Sequence, residues 1–201
     1  MNDERPKKIA RTWIVVIPIV IVGVAVLTAT VGVLGLYVFS SSAAPFTLLA
    51  HAFPFPAAYV DGQAIRYSDW SDDTRAFVAL AEQGKVSIPG AVSRHDIAVN
   101  VMDRLVRNKV LDKLALERGI AVSDTEIGKE FDRVASGSEN RATLEAMLKA
   151  LGWSDNDVKT QIVRPYLLGQ RLAERLGSVA EADQAIEDAI AASDVKILVK
   201  F

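Results

Sequence analysis

The residues most able to do chemistry in this chain are acids, and they come in close pairs, Asp72/Asp73 and Asp155/Asp157. Two neighbouring carboxylates can act as acid and base when their environments push the two pKa values apart. Nothing in the flanking sequence supplies such environments. Both pairs stand where helices are expected to begin, and negative charge in a first turn complements the helix dipole, so capping accounts for them. His51 and His95 lie far apart and lack a His or Cys at ligand spacing. They read as a linker residue and a helix-surface residue. Cysteine is absent, which excludes disulfides, thiolate nucleophiles and Cys-based metal sites. No Ser/His/Asp order, glycine-rich phosphate loop or HExxH pattern occurs. The chain reads as a non-enzyme without cofactor or metal.

What remains is binding, and the strongest signal is for lipid. Residues 13–39 contain no charged side chain and are almost entirely Val, Ile, Leu, Gly, Ala and Thr. As a helix they would reach about 40 Å, more than the ~30 Å hydrocarbon core of a bilayer. Arg5, Lys7, Lys8 and Arg11 precede the run, and no Lys or Arg follows it until Arg66. Basic residues stay on the cytoplasmic side, so the N-terminus is expected inside and the rest outside the cytoplasmic membrane. Trp13 and Tyr37 suit the two headgroup zones. Ala50-His51-Ala52 resembles a small-residue cleavage site, but a signal h-region is only about 7 to 15 residues long. An uncleaved anchor is expected.

Four regions follow: a basic tail (1–12), a transmembrane helix (13–39), a Ser-, Ala- and Pro-containing linker (40–56), and one compact domain (57–201). Of the 23 basic and 25 acidic residues, four basic and two acidic precede the apolar run, so the remainder carries a formal net charge of −4. That balance argues against nucleic acid as a partner.

The outer domain is expected to be mainly helical and closed by a small sheet. Asp61-Gly62 between short apolar runs signals a tight hairpin over 59–65. A hairpin alone is marginal, and residues 195–201 alternate well enough to supply a third strand, with Val195, Ile197, Val199 and Phe201 on one face. Between them, an exposed or half-buried helix over 68–83 surrounds Phe77, Val78 and Leu80, and a Pro89-Gly90 turn follows. Ser93 then starts a long helix whose Ile97, Val101, Met102, Leu105, Val106, Val110 and Leu114 share a broad face, with Gly119 ending it and Ile120 packing beyond. Ser123 and Glu126 form a capping box, with Val122 stapled to Ile127, opening a helix to about residue 135 before the Ser136-Gly137-Ser138 break. Another helix carries Leu144, Met147, Leu148 and Leu151 and closes at Gly152. Ser154 repeats the capping device, Trp153 pairing with Val158, in a helix to about 177 that Pro165 should bend. Ser178 caps the last helix, to about 192.

The strand-Asp-Gly-strand opening, the run from Leu105 through Gly119-Ile120-Ala121-Val122-Ser123-Asp124-Thr125-Glu126, and the stretch from Leu144 past Trp153-Ser154 to Leu167-Leu168 resemble the N-terminal chaperone domain of the SurA, PpiD and PrsA group. The resemblance implies binding of unfolded or nascent secreted and envelope proteins. Many members carry a parvulin prolyl isomerase domain, but the two dozen residues after Gly177 leave no positions for one. The expected function is therefore a membrane-anchored holdase without isomerase activity. The alternative is a docking or scaffold subunit of a membrane complex. Phe131, Met147, Trp153 and Tyr166 are the candidate peptide-binding residues, although each would serve equally well in a core.

Overall fold

The structure is a computed structural model that describes residues 53–82, 84, 93–137, 145, 148–149 and 152–201. The apolar run at 13–39, the Pro89-Gly90 turn, Met147, Leu144 and Leu151 fall outside the described residues. Contacts divide the chain into a unit over 1–55 with Lys200 and a larger one over 56–199 with Phe201. Of the first, residues 53–55 and Lys200 are described, with the Phe53 and Phe55 rings tilted at 42° and their centroids 5.9 Å apart. All that follows concerns the second unit. Among the described residues no helix is long and apolar enough to cross a membrane.

The larger unit is mainly helical with one three-stranded sheet. Strands β1 (Pro56–Val60) and β2 (Gln63–Arg66) form the hairpin. Asp61 and Gly62 take φ of 49° and 80° at its tip, the conformation for which this pair is suited. Pro56, assigned to the linker from sequence, already belongs to β1. Strand β3 (Val195–Ile197) pairs antiparallel with β1 on the side opposite β2, so the two ends of the domain meet as expected. The strand is shorter than the alternation suggested. Val199 is buried, but Ile197 remains 45 % exposed because β3 is the outer strand, and Phe201 turns edge-on to Trp70 and His95, with centroids 6.1 and 6.0 Å away.

Helix α1 (Tyr67–Glu82) covers the hairpin and packs on α2 (Arg94–Glu117), the central helix, which also meets α5 (Arg164–Leu176) and α6 (Val179–Ala192). Helix α1 is more deeply seated than its sequence suggested, with Trp70, Val78 and Leu80 buried. All seven apolar positions assigned to α2 are buried. Ser93 caps it, and at its end Ile120 N donates to Ala115 O and Gly119 N to Leu116 O, with Gly119 at φ 64°. These are the two bonds of a Schellman motif, and Ile120 joins Leu111, Leu114 and Ala115 in the core as its hydrophobic contact. Leu168, Leu172, Ala182 and Ile186 complete that cluster. Each fully buried leucine stabilises by about 2 kcal/mol.

Helix α3 (Asp124–Gly137) opens on the anticipated capping box: Ser123 N donates to Glu126 Oε2 at 2.9 Å and Glu126 N to Ser123 Oγ at 3.3 Å. It runs past Ser136, whose hydroxyl donates back to Asp132 O and Arg133 O, satisfying itself inside the helix. Ser154 and Asp157 make the second box, at the start of α4 (Asp155–Val158). Around this box Trp153 packs on Ala76 and Leu80, and Val158 on Ile127, Phe131 and Val163. The helix then passes through a π-turn (Lys159–Val163) into α5. Residues 155–176 are thus helical throughout, ending at Gly177 as expected, with Pro165 in the first turn of α5 directly after this wider turn.

Candidate polypeptide-binding surface

The π-turn lies between two side-chain networks, one holding Trp153 and the other Phe131. On one side, Asp73 is 2 % exposed between α1 and α2. One carboxylate oxygen accepts from Arg104 Nη2, and the other from Trp153 Nε1 at 2.8 Å. Burial pushes the Asp73 carboxyl above its ordinary pKa, opposed by the Arg104 charge and the Trp153 bond. Arg104 also lies over the Trp153 and Phe77 rings, at 5.7 and 5.9 Å, and donates to Gln161 Oε1 at 3.2 Å. Pro165 cannot donate to the carbonyl four residues before it, Gln161 O, and Asn108 Nδ2 supplies that bond from α2 at 3.2 Å. The turn is thus held from α2 through both the backbone and the side chain of Gln161.

The capping explanation of Asp72/Asp73 therefore fails for both: Asp69 is the acid of the first turn, and Asp72 pairs with Arg75. The helix starts at Tyr67, which puts Asp73 a full turn beyond its first turn and on its apolar face, in line with Trp70, Ala76 and Leu80. An acid in such a stripe signals a buried partner, and the spacing carries that information. Asp155 and Asp157 do lie in a first turn, as expected.

On the other side, Val163 packs with Ile127 and Phe131 from α3, and Lys159 Nζ lies 4.8 Å from the Phe131 ring centroid. The π-turn changes which residue faces inward. In a regular helix Ile162 would follow Val158 by four and share its buried face, but the inserted residue turns Val163 inward and leaves Ile162 42 % exposed. Tyr166, four further on, is 49 % exposed and its hydroxyl accepts from Gln170 Nε2 at 2.6 Å. Val134 of α3 is 47 % exposed. Beside Val134, Arg133 is bound to Glu130.

Of the residues chosen from sequence, Phe131 is core, Trp153 is half-buried and hydrogen-bonded within the Asp73 network, and Tyr166 is on the surface. Ile162 and Val134 escaped notice. A 3.6-residue period counts Ile162 as inward-facing, so only the extra residue of the π-turn reveals it. Among the described residues no group of three or more His, Cys, Asp or Glu could hold a metal ion.

Residues 5–173 match the SurA-like N-terminal domain, a span that takes in the tail from Arg5 onward, the apolar run and all of this surface. The chain belongs to the SurA-like N-terminal domain family. No curated protein and no solved structure matches it. Membership in the SurA-like family points to a chaperone-like function and to polypeptide substrates.

Proposed function

We propose that this SurA-like protein is a membrane-anchored, extracytoplasmic holdase: it binds unfolded or extended polypeptide segments and performs no isomerase or other catalysis. In this reading residues 1–12 are cytoplasmic, 13–39 span the cytoplasmic membrane, 40–56 tether, and the domain from 57 onward meets its clients outside. The observation that carries the binding role is the pair of half-exposed side chains, Ile162 in the braced π-turn and Tyr166 just after it, in a domain of this family. π-Turns recur at functional sites, and exposed apolar groups beside charged ones suit weak, sequence-tolerant contacts. The uncharged run behind Arg5, Lys7, Lys8 and Arg11 supports the anchor and its orientation.

A photoreactive residue replacing Tyr166 in the full chain, activated in intact membranes, tests this reading. Adducts with many secreted polypeptides are expected. One discrete adduct would mark a docking subunit instead, and no adduct would contradict both.

A further inference from the structure

We propose that β3 is an acceptor edge on which an extended client segment adds as a fourth strand. The inference rests on the polypeptide-binding reading above and names how the client's backbone is held.

The sheet runs β2-β1-β3, so one side of β3 faces β1 and the other is open among the described residues. The bonds flanking the ladder set its phase. Asp61 N donates to Asp194 O at 3.0 Å, and Leu198 N donates to Ala57 O at 2.9 Å. Backbone groups alternate sides along a strand, so Asp194, Lys196 and Leu198 turn theirs toward β1. Val195 and Ile197 turn their N–H and C=O groups outward. These two residues, spaced as one repeat of an antiparallel ladder, present two donors and two acceptors to an incoming strand.

The side chains point the same way. Ile65, Ala58 and Ile197 stand opposite one another across the three strands. The first two are 3 % and 0 % exposed, whereas Ile197 is 45 % exposed. The apolar row is covered at one end and ends open at the other. An apolar residue on a fourth strand, set opposite Ile197, would extend it, and Leu198, 40 % exposed, borders the same edge.

A second copy of β3 fits this edge poorly. The antiparallel register that aligns Val195 with Ile197 sets Lys196 against Lys196 of the other copy, like charges directly opposed. The register centred on Val195 opposes Asp194 and Lys196 but leaves Ile197 against Ser193, and the one centred on Ile197 sets Val195 against Val199, which is buried beyond the end of the strand. The edge instead suits a different chain, extended, with apolar side chains at alternate positions and a neutral or acidic residue opposite Lys196. Recognition through main-chain groups tolerates many sequences, as a holdase requires.

The test uses the full chain in detergent micelles and a soluble peptide that alternates Val with Glu, Lys and Thr. Hydrogen exchange at the Val195 and Ile197 amides should slow by about tenfold when the peptide binds, while Leu198, already bonded to Ala57, changes little. Ile197→Pro removes an outward N–H together with the exposed Ile197 side chain and is compatible with an edge strand, so it should weaken the peptide several-fold without lowering the urea midpoint. Ile197→Val should bind like the parent. Lys196→Pro removes a donor to β1 and should loosen the sheet itself. If the peptide binds, yet both outward amides exchange at their free rate or Ile197→Pro binds at full strength, the inference is overturned and the holdase reading stands. A peptide that binds nowhere on the chain defeats both.

Discussion

Asp73→Ala removes the one buried acid among the described residues and tests whether the π-turn is held as described. The carboxylate accepts from Arg104 and from Trp153, so its loss strands two donors at once. Breaking a buried pair by deleting one partner costs about 3–5 kcal/mol. Arg104 keeps its Gln161 bond and has a side chain 23 % exposed to water, which puts the expectation at the lower end, about 3 kcal/mol. At a urea slope of about 2 kcal/mol per molar, the midpoint should fall by roughly 1.5 M. Asp73→Asn retains an acceptor for Trp153 but loses the charge on Arg104, and should cost about 2 kcal/mol. The double variant Asp73→Ala/Arg104→Met should cost less than the sum of its single changes, because no cation is then left unpaired. Equal midpoints for Asp73→Ala and the parent, or strict additivity in the cycle, would refute the network.

Two further outcomes check the frame around the site. Ser123→Ala should cost about 1 kcal/mol in urea unfolding, since it removes the acceptor for Glu126 N, and an unchanged midpoint would contradict the capping box. The Lys113 ammonium, and next the Asp194 N–H, hold the Asp61 carboxyl below its ordinary value of 3.8. A lowered folded pKa stabilises above the unfolded value and is lost as pH falls through the folded one, so acidification below about pH 4 should erode the link between the hairpin and β3. Asp61→Asn, tolerated at positive φ, should lose less of its urea midpoint between pH 6 and pH 3 than the parent, and an identical loss in both would contradict this assignment.

Much of the frame was legible because its signals are local. Asp61-Gly62, Gly119-Ile120, Ser123 with Glu126, and Ser178 each specify a turn or cap through residues only a few positions apart, and each forms. The pairing of β3 with β1 followed from the marginal stability of a lone hairpin. What stayed hidden depends on contacts between distant segments. Asp73 meets Arg104 and Trp153, 31 and 80 residues away, and a pair search that looks for capping sees only its neighbour Asp72. The spacing of Trp153 and Val158 signals a staple, but nothing local signals that Trp153 packs on Ala76 and Leu80 of α1 and donates to Asp73 there. The surface around Ile162 was obscured by the π-turn, which shifts the inward face by one residue. Its cause is visible once Pro165 and Gln161 are considered together, since a helix approaching a proline must find another donor for the carbonyl four residues back.

The central claim is that the exposed groups at the π-turn bind unfolded polypeptide, and light scattering of a denatured secreted protein diluted into the full chain in micelles measures it most directly. The parent should suppress aggregation in proportion to its concentration. Ile162→Glu/Tyr166→Glu, at two positions already on the surface, should keep the parent's urea midpoint and lose most of that suppression. Suppression undiminished by the double change, or absent in the parent, would contradict the account.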